Sequence, residues 1–146
     1  MANEIPEWSR KALLVRDLNR CVRCGGMGSA WHHRRRRRVQ DSHTHEPCNG
    51  VTLCVVCHSW VHANPRLSTE QGWIVSAWNL PINNPVLTFA YGWAFLNCDG
   101  TLVLAGECEE CETIAVLEKG LCLDCLITEV GARNPMVVRL RERMTT

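Results

Sequence analysis

The sequence predicts a small α+β fold in which short helices and strands are grouped around cysteine-rich turns. The chain has 146 residues and a mass of 16.5 kDa, which suits one domain or a small domain with an appendage. Apolar residues make up 46% and charged residues 21%, a composition typical of globular proteins. Eight of the ten cysteines fall in pairs of the form Cys-x-x-Cys. We therefore expect the cysteine turns, rather than a large apolar core, to join the elements.

Short helices and strands are predicted in the first half of the chain. Pro6 suits the first turn of a helix, and Pro65 restricts the residue before it, so a helix should stop there. A polar stretch over residues 35–47 is expected to be a loop. The expected elements are a helix over 6–20, strands over 30–34 and 50–54, and helices over 57–63 and 67–71.

The second half predicts strands and then a second cysteine-rich unit. Three β-like runs cover residues 85–89, 92–96 and 101–104, with a hairpin turn over 97–100. A terminal helix is expected over 136–144. The predicted organisation has three parts: a first domain over 1–72, a β-rich segment over 73–105, and a cysteine knuckle with the terminal helix over 106–146.

Charge is divided unevenly along the chain. Residues 1–66 carry 11 Lys and Arg against five Asp and Glu, whereas residues 67–146 carry five against ten. All six histidines lie in the basic part, where a phosphate backbone would be attracted. No apolar run is long enough for a membrane span, and the N-terminus lacks a signal-peptide core. A cytoplasmic location without membrane contact is therefore expected.

The paired cysteines predict two structural zinc sites. A tetrahedral Zn²⁺ takes four ligands, and a Cys-x-x-Cys turn supplies two of them. Twenty-nine residues separate the first two pairs and ten separate the last two, so adjacent pairing is the simplest arrangement. Disulfides or redox pairs are the alternative, but they are uncommon in a reducing compartment. The expected ligands are Cys21, Cys24, Cys54 and Cys57 in one site, and Cys108, Cys111, Cys122 and Cys125 in the other.

The histidines predict a further metal site. His58 and His62 are four residues apart on one helix face, so both imidazoles can reach one ion. His32 and His33 are neighbours on a strand and point to opposite faces, so one can bind this ion while the other stays free as a base.

The order and spacing of four features resemble those of the HNH endonuclease family, which has a ββα-metal fold. The features are the Cys-x-x-Cys turn, the His-His pair, Asn49 and the run Leu-Cys-x-x-Cys-His-x-x-x-His. The resemblance covers roughly residues 8–66, and the four-cysteine variant is similar to small HNH nucleases of bacteriophages. It implies hydrolysis of DNA phosphodiester bonds. His33 would activate water, Asn49 would orient the loop and the base, and the ligands of a catalytic divalent ion would be His32, His58 and His62.

The resemblance leaves the metal and some ligands open. Three imidazoles suit Zn²⁺, Ni²⁺ or Mn²⁺ better than Mg²⁺, which the family is generally described as using. His43 and His45 are expected at the loop surface, although either could compete as a ligand, and Cys48 and Cys98 fall outside the pairs. DNA phosphates are expected to meet a run of five arginines, Arg34, Arg35, Arg36, Arg37 and Arg38. Alternate arginines on an extended strand face opposite sides, so two or three of the five are expected to touch DNA.

Two other function classes remain open on the sequence. The chain can be a zinc-dependent DNA-binding or packaging-accessory protein without nuclease activity, or an interaction protein built on two zinc knuckles. Genome packaging, homing and attack on host DNA remain open as biological roles. Resemblance to phage nucleases favours packaging, with partners such as terminase in the host cytoplasm. The second zinc site is expected to be structural, and a contact with a partner or with DNA is the alternative.

Overall fold

The computed structural model describes residues 4–117 and 120–145, and it has a mixed α+β fold, as predicted. The helices are α1 (Glu7–Asp17), α2 (Val55–Ala63), α3 (Pro65–Glu70), α4 (Leu123–Val130) and α5 (Pro135–Thr145). The strands are β1 (Ala30–His33), β2 (Gly50–Leu53), β3 (Val86–Thr88), β4 (Gly92–Leu96), β5 (Leu102–Leu104), β6 (Gly106–Glu107) and β7 (Ile114–Ala115). Single 3₁₀ turns cover Pro47–Asn49 and Pro81–Asn83.

A two-stranded antiparallel sheet and the helix that follows it lie at the centre of the histidine-rich half. β1 pairs with β2 in a register that places His32 opposite Val51 and His33 opposite Gly50. α2 begins two residues after β2 ends, with Cys54 as its N-cap. Helix α1 ends at Asp17, earlier than expected, because Leu18 enters the left-handed region with φ of 52°.

The second sheet is a three-stranded antiparallel meander in the order β3-β4-β5. The hairpin turn predicted over 97–100 joins β4 to β5, where the Asn97 amide donates to the Thr101 carbonyl at 2.9 Å. Gly100 has φ of +92°, a value that favours glycine. The third sheet is the short pair β6-β7 within the C-terminal cysteine-rich unit.

The main hydrophobic core draws on both sides of the expected boundary at residue 72. Fully buried side chains from the first sheet and α2 pack with buried side chains from the segment that follows. The core residues are Cys21, Cys48, Val51, Leu53, Cys57, Val61, Trp73, Val86 and Leu96. The β-rich segment therefore completes the core of the histidine-rich half.

A second core lies in the C-terminal unit. Its buried members come from the cysteine turns, α4 and α5, and they include Cys108, Leu126, Val137 and Leu140. The sequence predicted α5 almost to the residue, but it did not separate α4 from the cysteine-rich unit. α4 begins directly after Cys122, as α2 begins directly after Cys54. Among the helices that the structure describes, none is both long and apolar enough to span a membrane.

The side chain of Arg34 lies inside the fold and not at its surface. It is fully buried, and its guanidinium donates five hydrogen bonds. The acceptors are the carbonyls of Gly72, Cys48, Pro81, Asn84 and Pro85, at 2.8, 3.0, 3.1, 2.6 and 3.4 Å. Burial lowers the pKa of Arg34 to about 9, which leaves the group charged at neutral pH. The expectation that Arg34 contacts DNA is therefore wrong.

Arg35 is also withdrawn from the surface. Its side chain is buried and forms a two-pronged ion pair with Asp41, with N–O distances of 2.6 and 2.8 Å. The His43 backbone amide also donates to the Asp41 carboxylate at 2.9 Å, and this bond and the Arg35 contact together lower the pKa of Asp41. Arg35 therefore closes the loop after β1, and the expectation that it binds DNA is corrected as well.

Candidate metal centre

The first four-cysteine group joins the turn after α1 to the start of α2. The sulfurs of Cys21, Cys24, Cys54 and Cys57 all lie within 4.8 Å of one another. The Cys24 and Cys54 sulfurs are 3.9 Å apart, close to the spacing of about 3.8 Å that a tetrahedral Zn²⁺ with 2.3 Å bonds imposes. This group can therefore hold a structural zinc ion.

Local hydrogen bonds prepare these sulfurs for a cation. The backbone amide of Cys57 donates to the Cys54 sulfur at 3.3 Å, and this bond lowers the pKa of Cys54 to about 7. Burial raises the pKa of Cys57 to about 12, so a thiolate there needs a nearby positive charge. The Arg23 guanidinium, stacked 3.7 Å over the Trp60 ring, donates to the Cys57 sulfur at 3.4 Å.

The second four-cysteine group repeats this arrangement in the C-terminal unit. The four sulfurs of Cys108, Cys111, Cys122 and Cys125 lie within 4.8 Å of one another, with 3.7 Å between those of Cys111 and Cys122. The Cys122 amide donates to the Cys108 sulfur at 3.3 Å and lowers the pKa of Cys108 to about 6. A second zinc ion can be held here, and each four-cysteine group then fixes the N-terminus of a helix.

The structure brings together His32, His58 and His62, the ligand set that the motif resemblance implies. Their ligand nitrogens lie within 4.8 Å of one another. The ring centroids are separated by 5.2 Å for His32–His58, 5.3 Å for His32–His62 and 4.9 Å for His58–His62. His32 is buried, His58 is half-buried and His62 is exposed, so the group opens toward solvent on one side.

The His32 ring has a defined tautomer. Its Nε2 lies 2.8 Å from the Trp73 carbonyl oxygen, and a carbonyl only accepts, so Nε2 carries the proton. Burial lowers the pKa of His32 to about 4, which keeps the ring neutral. The Nδ1 lone pair is then available to an ion, an orientation typical of metal-bound histidines. The donor set fits a divalent transition metal with open positions on the His62 side.

His33 points away from this group. Strand alternation places its ring against His45, with 3.1 Å between His33 Nε2 and His45 Nδ1. Burial lowers the pKa of His33 to about 4, helped by the nearby charges of His45 and Arg37, so the ring is neutral at pH 7. His33 is half-buried.

Asn49 is buried and holds the loop between β1 and β2. Its Oδ1 accepts from the Arg35 amide at 2.7 Å, and its Nδ2 donates to the Thr44 carbonyl at 2.9 Å. The Asn49 carbonyl accepts from the Arg34 amide at 2.8 Å, so the residue bonds both ends of the loop. This arrangement fixes the backbone beside His33.

The three remaining arginines of the run, Arg36, Arg37 and Arg38, are exposed in the loop that follows β1. Arg37 is close enough to lower the pKa of His33 through its charge. A solvent-facing basic loop therefore lies beside the neutral imidazole.

Sequence reasoning missed three contributors to this region. His45 was placed at the loop surface, yet it contacts His33. Arg16 donates to the Pro47 and Gly50 carbonyls at 2.8 and 2.7 Å, which ties α1 to the site. Cys48 and Cys98, fifty residues apart, are joined by a disulfide. No periodicity or spacing in the sequence marks these contacts, because each crosses between separate elements.

Comparison with known proteins gives no match to a family model, to a curated protein or to a solved structure. The functional interpretation therefore depends on the chemistry of the site itself.

Proposed function

We propose that the chain is a metal-dependent HNH endonuclease that hydrolyses phosphodiester bonds in DNA, built on a ββα-metal core of β1, β2 and α2. The observation that carries the proposal is that two adjacent histidines lie on opposite faces of β1 and in different surroundings. His32 joins His58 and His62 in one ligand group, while His33 lies on the opposite strand face as a neutral imidazole.

In this mechanism His33 accepts a proton from a water molecule, which then attacks the scissile phosphorus in line with the leaving oxygen. A neutral imidazole is the form required of a general base. A divalent ion held by His32, His58 and His62 would supply Lewis-acid stabilisation of the charge on the leaving 3′ oxygen. Asn49 keeps the loop in place, so the His33 ring is oriented before substrate binds.

Substrate binding is assigned to the basic loop. Arg36, Arg37 and Arg38 are exposed, and the charge of Arg37 reaches His33. Arginines at this position neutralise the phosphates that flank the scissile bond, a sequence-independent attraction that weakens as salt rises. The interaction therefore places the DNA backbone against His33 without selecting a base sequence.

The ligands of the histidine group are compatible with several different divalent ions. Three imidazole nitrogens suit Zn²⁺, Ni²⁺ and Mn²⁺, and open positions filled by water and phosphate oxygens would also accept Mg²⁺. The biological setting that we propose is a phage nuclease in the host cytoplasm, acting with packaging proteins such as terminase; this setting rests on the motif resemblance alone.

A plasmid assay tests the proposal. Supercoiled DNA is incubated with the wild-type chain in Mg²⁺, Mn²⁺, Ni²⁺ or Zn²⁺, beside His33→Ala and the exposed loop control Ser42→Ala. We expect wild type and S42A to nick the plasmid. H33A should lose about 100-fold or more, as general-base removal costs about 10²–10⁴-fold. H33A should keep salt-sensitive DNA binding. Absence of nicking with all four ions, or equal nicking by H33A, would contradict the proposal.

One contact favours a second candidate, a zinc-dependent DNA-binding or packaging-accessory protein without nuclease activity. The His33 Nε2 is engaged by His45, so that nitrogen is not directed to solvent. Salt-sensitive DNA binding without nicking in any of the four ions would support this candidate. Absence of both binding and nicking would instead favour an interaction protein.

A further inference from the structure

Four potential metal ligands gather where the loop before β2 meets the β4–β5 turn. Ligand atoms of His43, Glu46 and Cys98 lie within 4.8 Å of one another. The Cys48 sulfur lies 3.7 Å from Glu46 Oε2 and is bonded to the Cys98 sulfur. Two sulfurs, one imidazole and one carboxylate therefore share one small volume outside the three groups already described.

We propose that, when the Cys48–Cys98 disulfide is reduced, this quartet binds a Zn²⁺ ion. Zinc takes thiolate, imidazole and carboxylate ligands in tetrahedral sites, and the donor set here is Cys₂HisGlu. With bonds of 2.0–2.3 Å, the ligand atoms of such a site are about 3.3–3.8 Å apart. The Glu46–Cys48 separation of 3.7 Å already meets this requirement.

The other ligand pairs need only small side-chain movements. His43 Nδ1 and Glu46 Oε2 are in hydrogen-bond contact at 2.6 Å, a separation that must open by less than 1 Å for both to face an ion. The two sulfurs must part from bonding distance once they are reduced. Cys48 is buried while His43, Glu46 and Cys98 are half-buried, so an ion would enter from the loop side.

A thiol reductant can reduce the Cys48–Cys98 disulfide. Two thiol molecules donate two electrons and two protons to the disulfide, giving two cysteine thiols and one oxidised disulfide of the reductant. Zn²⁺ then displaces the two thiol protons and bonds to both thiolates. The loop is thus cross-linked to the β4–β5 turn in either state, by a disulfide when oxidised and by zinc when reduced.

The position of this quartet matters because Cys48 directly precedes Asn49. The same short loop carries His45 beside His33 and the Thr44 carbonyl that Asn49 bonds. Metal binding at the quartet therefore holds the loop that orients His33. The inference does not require nuclease activity, since metal content and thiol reactivity are read without DNA.

Native mass spectrometry of the full chain with free zinc and a phosphine reductant tests the proposal. We expect the reduced wild type to carry one more zinc than the Cys48→Ser/Cys98→Ser double variant, and one more than the wild type under oxidising conditions. His43→Ala should also lose this zinc when reduced, whereas the exposed neighbour variant Ser42→Ala should keep it. Equal zinc content in the reduced wild type and the double variant would overturn the proposal.

Thiol alkylation gives a second readout that tolerates weakened folding. In reduced protein with zinc, iodoacetamide should modify Cys48 and Cys98 at least tenfold faster in Glu46→Gln and His43→Ala than in wild type. The cysteines of the two four-cysteine groups serve as internal controls and should react at unchanged rates. Equal rates at Cys48 and Cys98 in wild type and both variants would refute zinc ligation there.

Discussion

Replacing Arg34 by methionine tests whether the first arginine of the run is structural. Methionine keeps a long apolar stem in the same space but removes the guanidinium. Five carbonyls then lose the Arg34 donor, and the bonds to Gly72, Cys48 and Pro81 are the fully buried ones. The Pro81 carbonyl keeps the Asn84 amide as a donor at 3.1 Å. The change leaves the surface charge of the basic loop untouched.

The size of the effect follows from the two buried acceptors that keep no other donor, the Gly72 and Cys48 carbonyls. A buried group left without its partner costs about 1–3 kcal/mol, so two such groups set an upper range of several kcal/mol. Part of this loss is offset because the variant no longer buries a charge, and part is relieved where carbonyls relax toward water. We expect a net loss of about 3 kcal/mol in the free energy of unfolding.

Urea unfolding followed by tryptophan fluorescence measures the difference. Arg36→Met is the matched control, since Arg36 is exposed two residues along the same run. It should change stability by less than about 0.5 kcal/mol, as surface substitutions usually do. If R34M unfolds within about 0.5 kcal/mol of wild type, or if R36M is equally destabilised, the buried anchor does not stabilise the fold as described.

Three further predictions concern DNA and zinc. Replacing the arginines at 36–38 by glutamine should make the slope of log affinity against log salt shallower by about 2–3; an unchanged slope would exclude these phosphate contacts. Asn49→Ala should raise amide exchange across residues 35–44 and slow nicking, and normal protection there would argue against its role in the loop. Cys57→Ser should lose one zinc and much of its far-UV circular dichroism, whereas Cys125→Ser should lose one zinc and raise exchange only in α4 and α5. Retained zinc or an unchanged spectrum in Cys57→Ser would contradict the structural assignment.

The sequence predicted the elements that carry local signals. Pro65 ended α2 where expected, and the Asn97–Gly100 turn joined two strands. Proline restricts the backbone and glycine permits a positive φ wherever the rest of the chain lies. Helix periodicity predicted that His58 and His62 can reach one ion, and strand alternation predicted that one residue of the His32–His33 pair joins them. The choice of His32 came from the motif resemblance. These features depend on spacing within one element or between neighbouring elements.

Strand alternation could also have predicted the burial of Arg34. His32 faces inward, and a strand places the residue two positions later on the same face. The run of five arginines masked this signal, because composition suggests one solvated patch. No signal in the sequence near Arg34, however, shows that five carbonyl acceptors from residue 48 and residues 72–85 surround its side chain. These acceptors come together only in the folded chain.

The His33–His45 contact lay beyond sequence reasoning for a related reason. The two residues are 12 positions apart across an irregular loop, so no period links them. Their separation is set by Asn49, whose amide bonds the two ends of the loop, and by Arg16, which holds the backbone at Pro47. Contacts fixed by buried polar side chains can seldom be predicted from the pattern of apolar residues in a sequence.

In this fold the histidine group depends on the first four-cysteine group. Cys54 and Cys57 fix the first turn of α2, and that helix presents His58 and His62 one turn apart toward His32. A short helix is marginal without such support, so loss of the four-cysteine zinc should disperse the histidines as well. Structural zinc removal should therefore weaken metal binding at the histidines, although none of them ligates that zinc. A histidine group with unchanged affinity after Cys21→Ser would show that α2 is held by the apolar core alone.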